Sequence, residues 1–164
     1  MTNKALEIEF EQLIKSHELL VFKVCRVYAY NNHDRQDLFQ EIVLQLWKSY
    51  PKFKQQSKFS TWLYRVAIYT AIAGLRKQTT IIEFTEPEKL PNIGDVGYNK
   101  AEDEQLAELY KAIGQLNEIE KAIIMLYLED KSYEEMEEIL GINQGNLRVK
   151  MTRIKDKLKQ LTKH

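Results

Sequence analysis

Two stretches of this chain combine residue types that suit a chemistry. Between Tyr50 and Tyr69, cationic and aromatic side chains interleave: Lys52, Phe53, Lys54, Lys58, Phe59, Trp62, Tyr64, Arg65 and Tyr69. An unpaired nucleic-acid strand offers flat base faces to stack and a charged backbone to neutralise. A segment alternating rings with lysines supplies both. The same rings suit a protein core, and for Phe59 and Trp62 that reading stands beside the stacking one. Near the C-terminus, Arg148, Val149, Lys150, Thr152 and Arg153 follow one another closely. At about 100° per residue on a helical wheel, the apolar residues Leu147, Met151, Ile154 and Leu158 fall within about 60° of one another. Arg148, Val149, Thr152 and Arg153 lie away from that stripe. A valine beside a threonine is unusual on a solvated face. Both suit thymine methyls in a major groove, with Arg148 reading guanine and Lys150 and Arg153 holding phosphates. A basic surface helix of a small domain is the plainer alternative.

Catalytic chemistry is poorly served. The histidines His17, His33 and His164 are scattered without metal-ligand spacing. No glycine-rich phosphate loop or nucleophile motif is present. The carboxylates Glu134, Glu135, Glu137 and Glu138 read as a solvated helix face whose charge also keeps DNA on the following helix. The expectation is a non-enzyme with no metal and no cofactor.

The elements that must position these residues are helical. Leu6, Phe10, Leu13 and Ile14 form one apolar stripe, and Leu20, Val24, Val27 and Tyr28 a second. Asp34 suits the cap of a third helix carrying Leu38, Phe39, Ile42, Val43, Leu46 and Trp47, which must stop near Tyr50 because Pro51 follows. Ser60 suits the cap of a fourth. Weak strand-like alternation appears over residues 79–84. Residues 81–104 hold Pro87, Pro91, Gly94, Gly97 and many acids, and read as an exposed, flexible acidic linker. The expected layout is residues 1–80 as one helical domain, 81–104 as linker and 105–164 as a second domain. Asn117 with Glu120 and Ser132 with Glu135 give two capping-box starts. Gly141 suits a left-handed C-cap and Asn143 the cap of the last helix. A short helix, a tight turn and a longer basic helix is the layout of a helix-turn-helix.

Composition agrees. The chain has 164 residues, 44% hydrophobic and 29% charged, as in an ordinary globular protein. No apolar stretch approaches the roughly 20 residues that span a bilayer, so membrane insertion is not expected. Acidic residues in the opening MTNKALEIEFEQ stand where a signal peptide needs its apolar core, which argues against secretion. The one cysteine, Cys25, sits in an apolar pattern and reads as a core residue in a reducing, cytoplasmic setting. Net charge is zero, but its distribution is uneven. Residues 1–80 carry 12 basic and 7 acidic side chains, net +5, and residues 142–164 carry 7 and 1, net +6. Between them, residues 81–104 are net −5 (2 and 7) and residues 105–141 net −6 (3 and 9). Two basic blocks parted by acidic ones imply two anion-facing surfaces.

Three segments carry a family resemblance. Asp37-Leu-Phe-Gln-Glu-Ile-Val-Leu-Gln-Leu-Trp47, Phe59-Ser-Thr-Trp-Leu-Tyr-Arg-Val-Ala67 and Ser132-Tyr-Glu-Glu-Met-Glu-Glu-Ile-Leu-Gly-Ile142 are similar, in order and spacing, to landmarks of bacterial RNA polymerase sigma factors. The group resembled is the small extracytoplasmic-function one of the sigma-70 family, with two helical domains and a linker. The resemblance implies that Asp37, Leu38, Gln40, Glu41 and Leu44 dock on the clamp helices of the polymerase's largest subunit. It implies that the Lys/aromatic segment melts the −10 promoter element and captures a flipped base, and that the last helix reads the −35 duplex. The flap of the second-largest subunit, promoter DNA and an anti-sigma factor are the further partners it implies, and the linker would thread the RNA channel. Two positions depart from the family pattern. Tyr69 stands where Asn is usual, and Glu137 where a small Ala is common, so Glu137 must point outward or the helix crossing must widen.

The reading is an all-α, two-domain alternative sigma factor. A stand-alone helix-turn-helix regulator is the nearest rival, although no dimerisation helix is evident. A helical protein-interaction adaptor is the rival from another class.

Overall fold

Short polar side chains decide where the helices begin, because each helix leaves its first N–H groups without an internal partner. The computed structural model describes residues 3–53, 57–78 and 100–162. Within these, Asn117 Oδ1 accepts from the Glu120 N–H at 2.9 Å and Glu120 Oε1 accepts from the Asn117 N–H at 3.1 Å, closing a capping box. Ser132 Oγ and Glu135 make the same reciprocal pair at 3.1 and 3.4 Å. Asn143 Oδ1 accepts from the Asn146 N–H at 2.8 Å. All three sites match the sequence expectation. The third helix does not. Its cap is Asn31, which has the extended backbone a cap needs and accepts from the Asp34 N–H at 2.8 Å, so Asp34 lies inside the first turn. Likewise the fourth helix opens at Phe59, which puts Ser60 in its first turn.

The chain divides into two compact units, Met1–Ile82 and Glu83–His164. Every regular element among the described residues is helical. The first unit holds α1 (Asn3–Ser16), α2 (Glu18–Tyr28), α3 (Asn32–Ser49) and α4 (Phe59–Gln78). After α3, Pro51 lies in a 3-10 turn over Tyr50–Lys52, since its ring cannot continue the α-helical hydrogen bonding. α2, α3 and α4 pack on one another. Val21, Val24 and Cys25, Ile42 and Leu46, and Leu63, Ala67 and Ile68 are their buried contributions. Each Val, Leu or Ile among them contributes about 1.5–3 kcal/mol on removal from water. Cys25 is 1% exposed, and burial pushes its thiol up to about 12, which keeps it in the unreactive protonated form.

The second unit holds α5 (Lys100–Ile113), α6 (Glu118–Leu128), α7 (Tyr133–Leu140) and α8 (Gln144–Leu161). α5 begins ahead of Gln105, so residues 100–104 belong to this helix. The linker reading of residues 81–99 and the strand-like residues 79–84 lie outside the described residues. Ile113, Ile123, Leu126, Met136, Ile139, Leu147, Met151 and Ile154 form the core. Gly141 has φ +74°, a conformation costly for residues with a Cβ, and its N–H donates to Glu137 O at 2.8 Å to end α7. Within the described residues no helix is long and apolar enough to cross a membrane.

Candidate nucleic-acid and protein interfaces

On the first unit, α4 turns Trp62, Arg65, Val66 and Tyr69 to one side, at helical spacings of three and four. With Lys52 and Phe53 they line a cleft of about 420 Å³. Five of the cationic and aromatic residues singled out above therefore meet in one place. Ser49 and Ser57 add two hydroxyls to its wall that no sequence signal marked, and Val66 shares the wall with Trp62, beside which helical periodicity places it. The aromatic cluster serves core and cleft together. Phe53 lies 4.9 Å from Trp62 and 5.9 Å from Phe59 between ring centroids, and Phe59 lies 5.5 Å from Trp62. Phe59 also packs on His17 at 4.8 Å, which ties the loop to the α1–α2 corner. Lys58 is exposed beside this cluster, and Lys54 lies outside the described residues.

Tyr64 corrects the expectation. It is 1% exposed, because it sits on the face of α4 that carries Ala67, Ile68 and Ala71 into the core. Its ring packs against protein and cannot stack on a base. A second cleft of about 710 Å³ runs between α1 and Tyr50, Pro51, Phe53, Ser57 and Phe59. There the Tyr50 hydroxyl donates to Glu9 Oε1 at 2.5 Å. Burial, then the bond to Glu9 and its charge, push the Tyr50 hydroxyl up to about 12, so it stays a donor.

On the second unit, Leu147, Met151 and Ile154 seat α8 on the core while Arg148, Val149, Thr152 and Arg153 are exposed. Val149 is 51% exposed, an unusual solvent contact for a β-branched aliphatic side chain. The Thr152 hydroxyl donates to Arg148 O at 3.2 Å, so the helix occupies its polar atom. Gly145 and Asn146 are exposed at the helix start, where a recognition helix meets base edges, and sequence reasoning did not mark them. Lys150 is half-buried on the flank, where its charge acts on Glu120. The Arg148 guanidinium carbon lies 5.0 Å from the centroid of the Tyr133 ring. Glu137 reaches across the turn, where its Oε2 accepts from Gln144 Nε2 at 3.2 Å. A carboxylate also suits that helix N-terminus.

A third surface lies on α3. Asp37, Gln40, Glu41 and Leu44 are exposed at spacings of three and four, with Leu38 half-buried beside them. Leu44 is 44% exposed, an apolar knob in a polar stripe. Glu41 Oε1 accepts from Gln45 Nε2 at 3.0 Å. The structure also groups potential ligand atoms of His33, Asp34 and Asp37 within 4.8 Å of one another, a cluster that spacing alone did not reveal. Its members already engage protein: Asp34 Oδ2 accepts from Asn31 Nδ2 at 3.0 Å, and His33 Nε2 lies 3.4 Å from Asp37 Oδ2.

The chain matches the family model for Sigma-70 region 2 over residues 13–81 and that for Sigma-70 region 4 over residues 106–158. It is 29% identical to the RNA polymerase sigma factor SigV of Bacillus subtilis, covering 99% of this chain and 95% of that protein. Its identity to the ECF RNA polymerase sigma factor SigW of the same organism is 24%, over 92% of this chain and 87% of that one. Among solved structures, the sigma factor RpoE in complex with the anti-sigma factor NepR from Bartonella quintana superimposes with a TM-score of 0.70 at 18% identity. That superposition covers 94% of this chain and 97% of that chain, and it speaks for a shared fold.

Proposed function

The chain belongs to the sigma-70 family of RNA polymerase sigma factors, in its extracytoplasmic-function group, and from that premise we propose how its surfaces divide the work. As such a factor it binds core RNA polymerase and recognises promoter elements, while the catalytic step belongs to the polymerase. One observation carries the division of labour: the two units present surfaces of different chemistry. The first has a cleft walled by Lys52, Arg65 and three rings, suited to an unpaired strand. The second has an exposed basic helix suited to a duplex groove.

In this reading, residues 1–80 dock on the polymerase and hold the opened −10 element. Lys52, Lys54, Lys58 and Arg65 neutralise its backbone. Phe53, Trp62 and Tyr69 stack on a captured base, with Phe59 backing them. Tyr69 contributes a ring where relatives use a hydrogen-bonding amide. Residues 105–164 read the −35 element through a helix-turn-helix, with Arg148, Val149 and Thr152 on base edges and Arg153 on a phosphate. Lys150 contributes charge from the flank. Because its hydroxyl is turned inward, Thr152 offers its methyl, as Val149 does. Asp37, Leu38, Gln40, Glu41 and Leu44 meet the clamp helices, and the second domain meets the flap. Residues 81–99, net −3 (1 basic and 4 acidic), thread the RNA channel as a polyanion mimic. The protein works in the cytoplasm, and an anti-sigma factor restrains it, as one binds RpoE of Bartonella quintana. Each domain alone binds DNA weakly, and linkage through the polymerase supplies the affinity.

The test is run-off transcription from fragmented genomic DNA of the source organism with core polymerase, with and without this protein. Discrete new transcripts sharing an upstream sequence pair are expected. No new transcripts, together with no comigration with the core in a native gel, would overturn the reading.

A further inference from the structure

The cation best placed to read a base is held by a ring. Arg148 is exposed on α8, and its guanidinium carbon lies over Tyr133, the first residue of α7, at 5.0 Å from the ring centroid. Among the described residues no carboxylate pairs with it, although α7 carries four glutamates. Glu135 is engaged by Ser132 and by Lys131 at 3.6 Å, and Glu137 by Gln144.

We propose that Tyr133 is a positioning residue that sets base discrimination by Arg148. The inference rests on the reading of α8 as the duplex-reading helix. A carboxylate partner would consume the in-plane N–H donors of the guanidinium and would have to be displaced before a base could bind. A ring engages the face of the group and leaves its donor edge for the two acceptors of guanine. A long side chain already held in this way loses less freedom when it meets the base, so more of the bond appears as selectivity. Local hydrogen bonds fix the support. The Ser132–Glu135 capping box orders the first turn of α7, and the left-handed Gly141 turns α8 so that Arg148 comes back over it. The separation of Tyr133 and Arg148 in the chain is bridged only by that turn.

The experiment uses the full chain bound to core polymerase, and duplexes in which each position of the upstream element is varied in turn. Tyr133→Leu removes the ring while keeping an apolar helix former, and Tyr133→Phe keeps the ring. Discrimination at one base pair should fall about 2- to 5-fold in the leucine variant, the size of an exposed cation–π contact, with other positions unchanged. The phenylalanine variant should match the parent. Arg148→Ala should lose preference at the same pair, and adding Tyr133→Leu to it should change nothing more. Loss of preference in Arg148→Ala but not in Tyr133→Leu overturns the positioning role alone. An even loss across all positions, or a loss in Tyr133→Phe equal to that in leucine, overturns it too. A flat profile in Arg148→Ala removes both the positioning role and the base-reading assignment beneath it.

Discussion

Replacing Glu120 with glutamine should cost the C-terminal unit about 1 kcal/mol at neutral pH, and that cost should disappear in acid. Glu120 is only 8% exposed. Its Oε2 accepts from Lys157 Nζ at 2.7 Å, and its Oε1 closes the capping box with Asn117. Burial pushes its carboxyl up. The Lys157 hydrogen bond, the Asn117 N–H and the charges of Lys157 and Lys150 outweigh burial and hold it below the usual value of 4.5. Glutamine keeps an acceptor for Asn117 and gives up the charge. A hydrogen bond to a charged group contributes about 1.5–3 kcal/mol. The Lys157 side chain is 53% exposed and water recovers much of its loss, which lowers the figure toward the 0.2–1 kcal/mol of exposed pairs. For a unit of this size, 1 kcal/mol moves the melting temperature by about 4–8 °C. Alanine also opens the cap and should cost about 1 kcal/mol more. The sign follows from the lowered folded-state pKa. The contribution is complete above the unfolded value near 4.5 and is lost as pH falls through the folded value. The parent should therefore approach the glutamine variant as the solution is acidified. Circular dichroism melts of the full chain across that range measure this. Both tryptophans, Trp47 and Trp62, lie in the first unit, so tryptophan fluorescence is a built-in control that should not move. Equal melting at pH 7, or a deficit that persists below the folded pKa, would refute the argument.

Other expectations are simpler. Gly141→Ala should cost about 1–2 kcal/mol by thermal melting. Nothing lies within 4 Å of an added Cβ, so the left-handed backbone is the sole source. Glu41→Arg should leave the circular dichroism spectrum intact, since Glu41 is exposed and its bond to Gln45 lies on the helix surface, yet abolish co-purification with core polymerase. Normal co-purification would reject the α3 docking assignment. Arg65→Ala should weaken holoenzyme binding to non-template single strand and reduce the salt slope by about 0.7, as for one lost phosphate contact. An unchanged slope would reassign Arg65 to the base or to the fold.

Local chemistry made much of this protein legible in its sequence. The starts of α6, α7 and α8 depend on a side chain meeting an N–H three residues on, and Gly141 depends on its own backbone, so neither needs distant information. The seam of α8 and the exposure of Arg148, Val149 and Thr152 follow from the 3.6-residue period. The cap of α3 falls at Asn31, three residues before the expected Asp34, because both qualify by type and only backbone geometry separates them. Tyr64 lies in the core rather than in the cleft, because composition marks a stretch as aromatic without saying which rings the packed helix turns inward.

What the tertiary structure alone decided is where separate segments meet. The cleft joins Ser49, Lys52 and Ser57 to one face of α4. The ring of Tyr133 meets Arg148 across a left-handed turn. Glu120 receives Lys157 from 37 residues away. Helix periodicity and capping are short-range and repeat along the chain, so the sequence alone determines them. Contacts between helices depend on the crossing angles at which whole cores pack, and no window of residues contains that information.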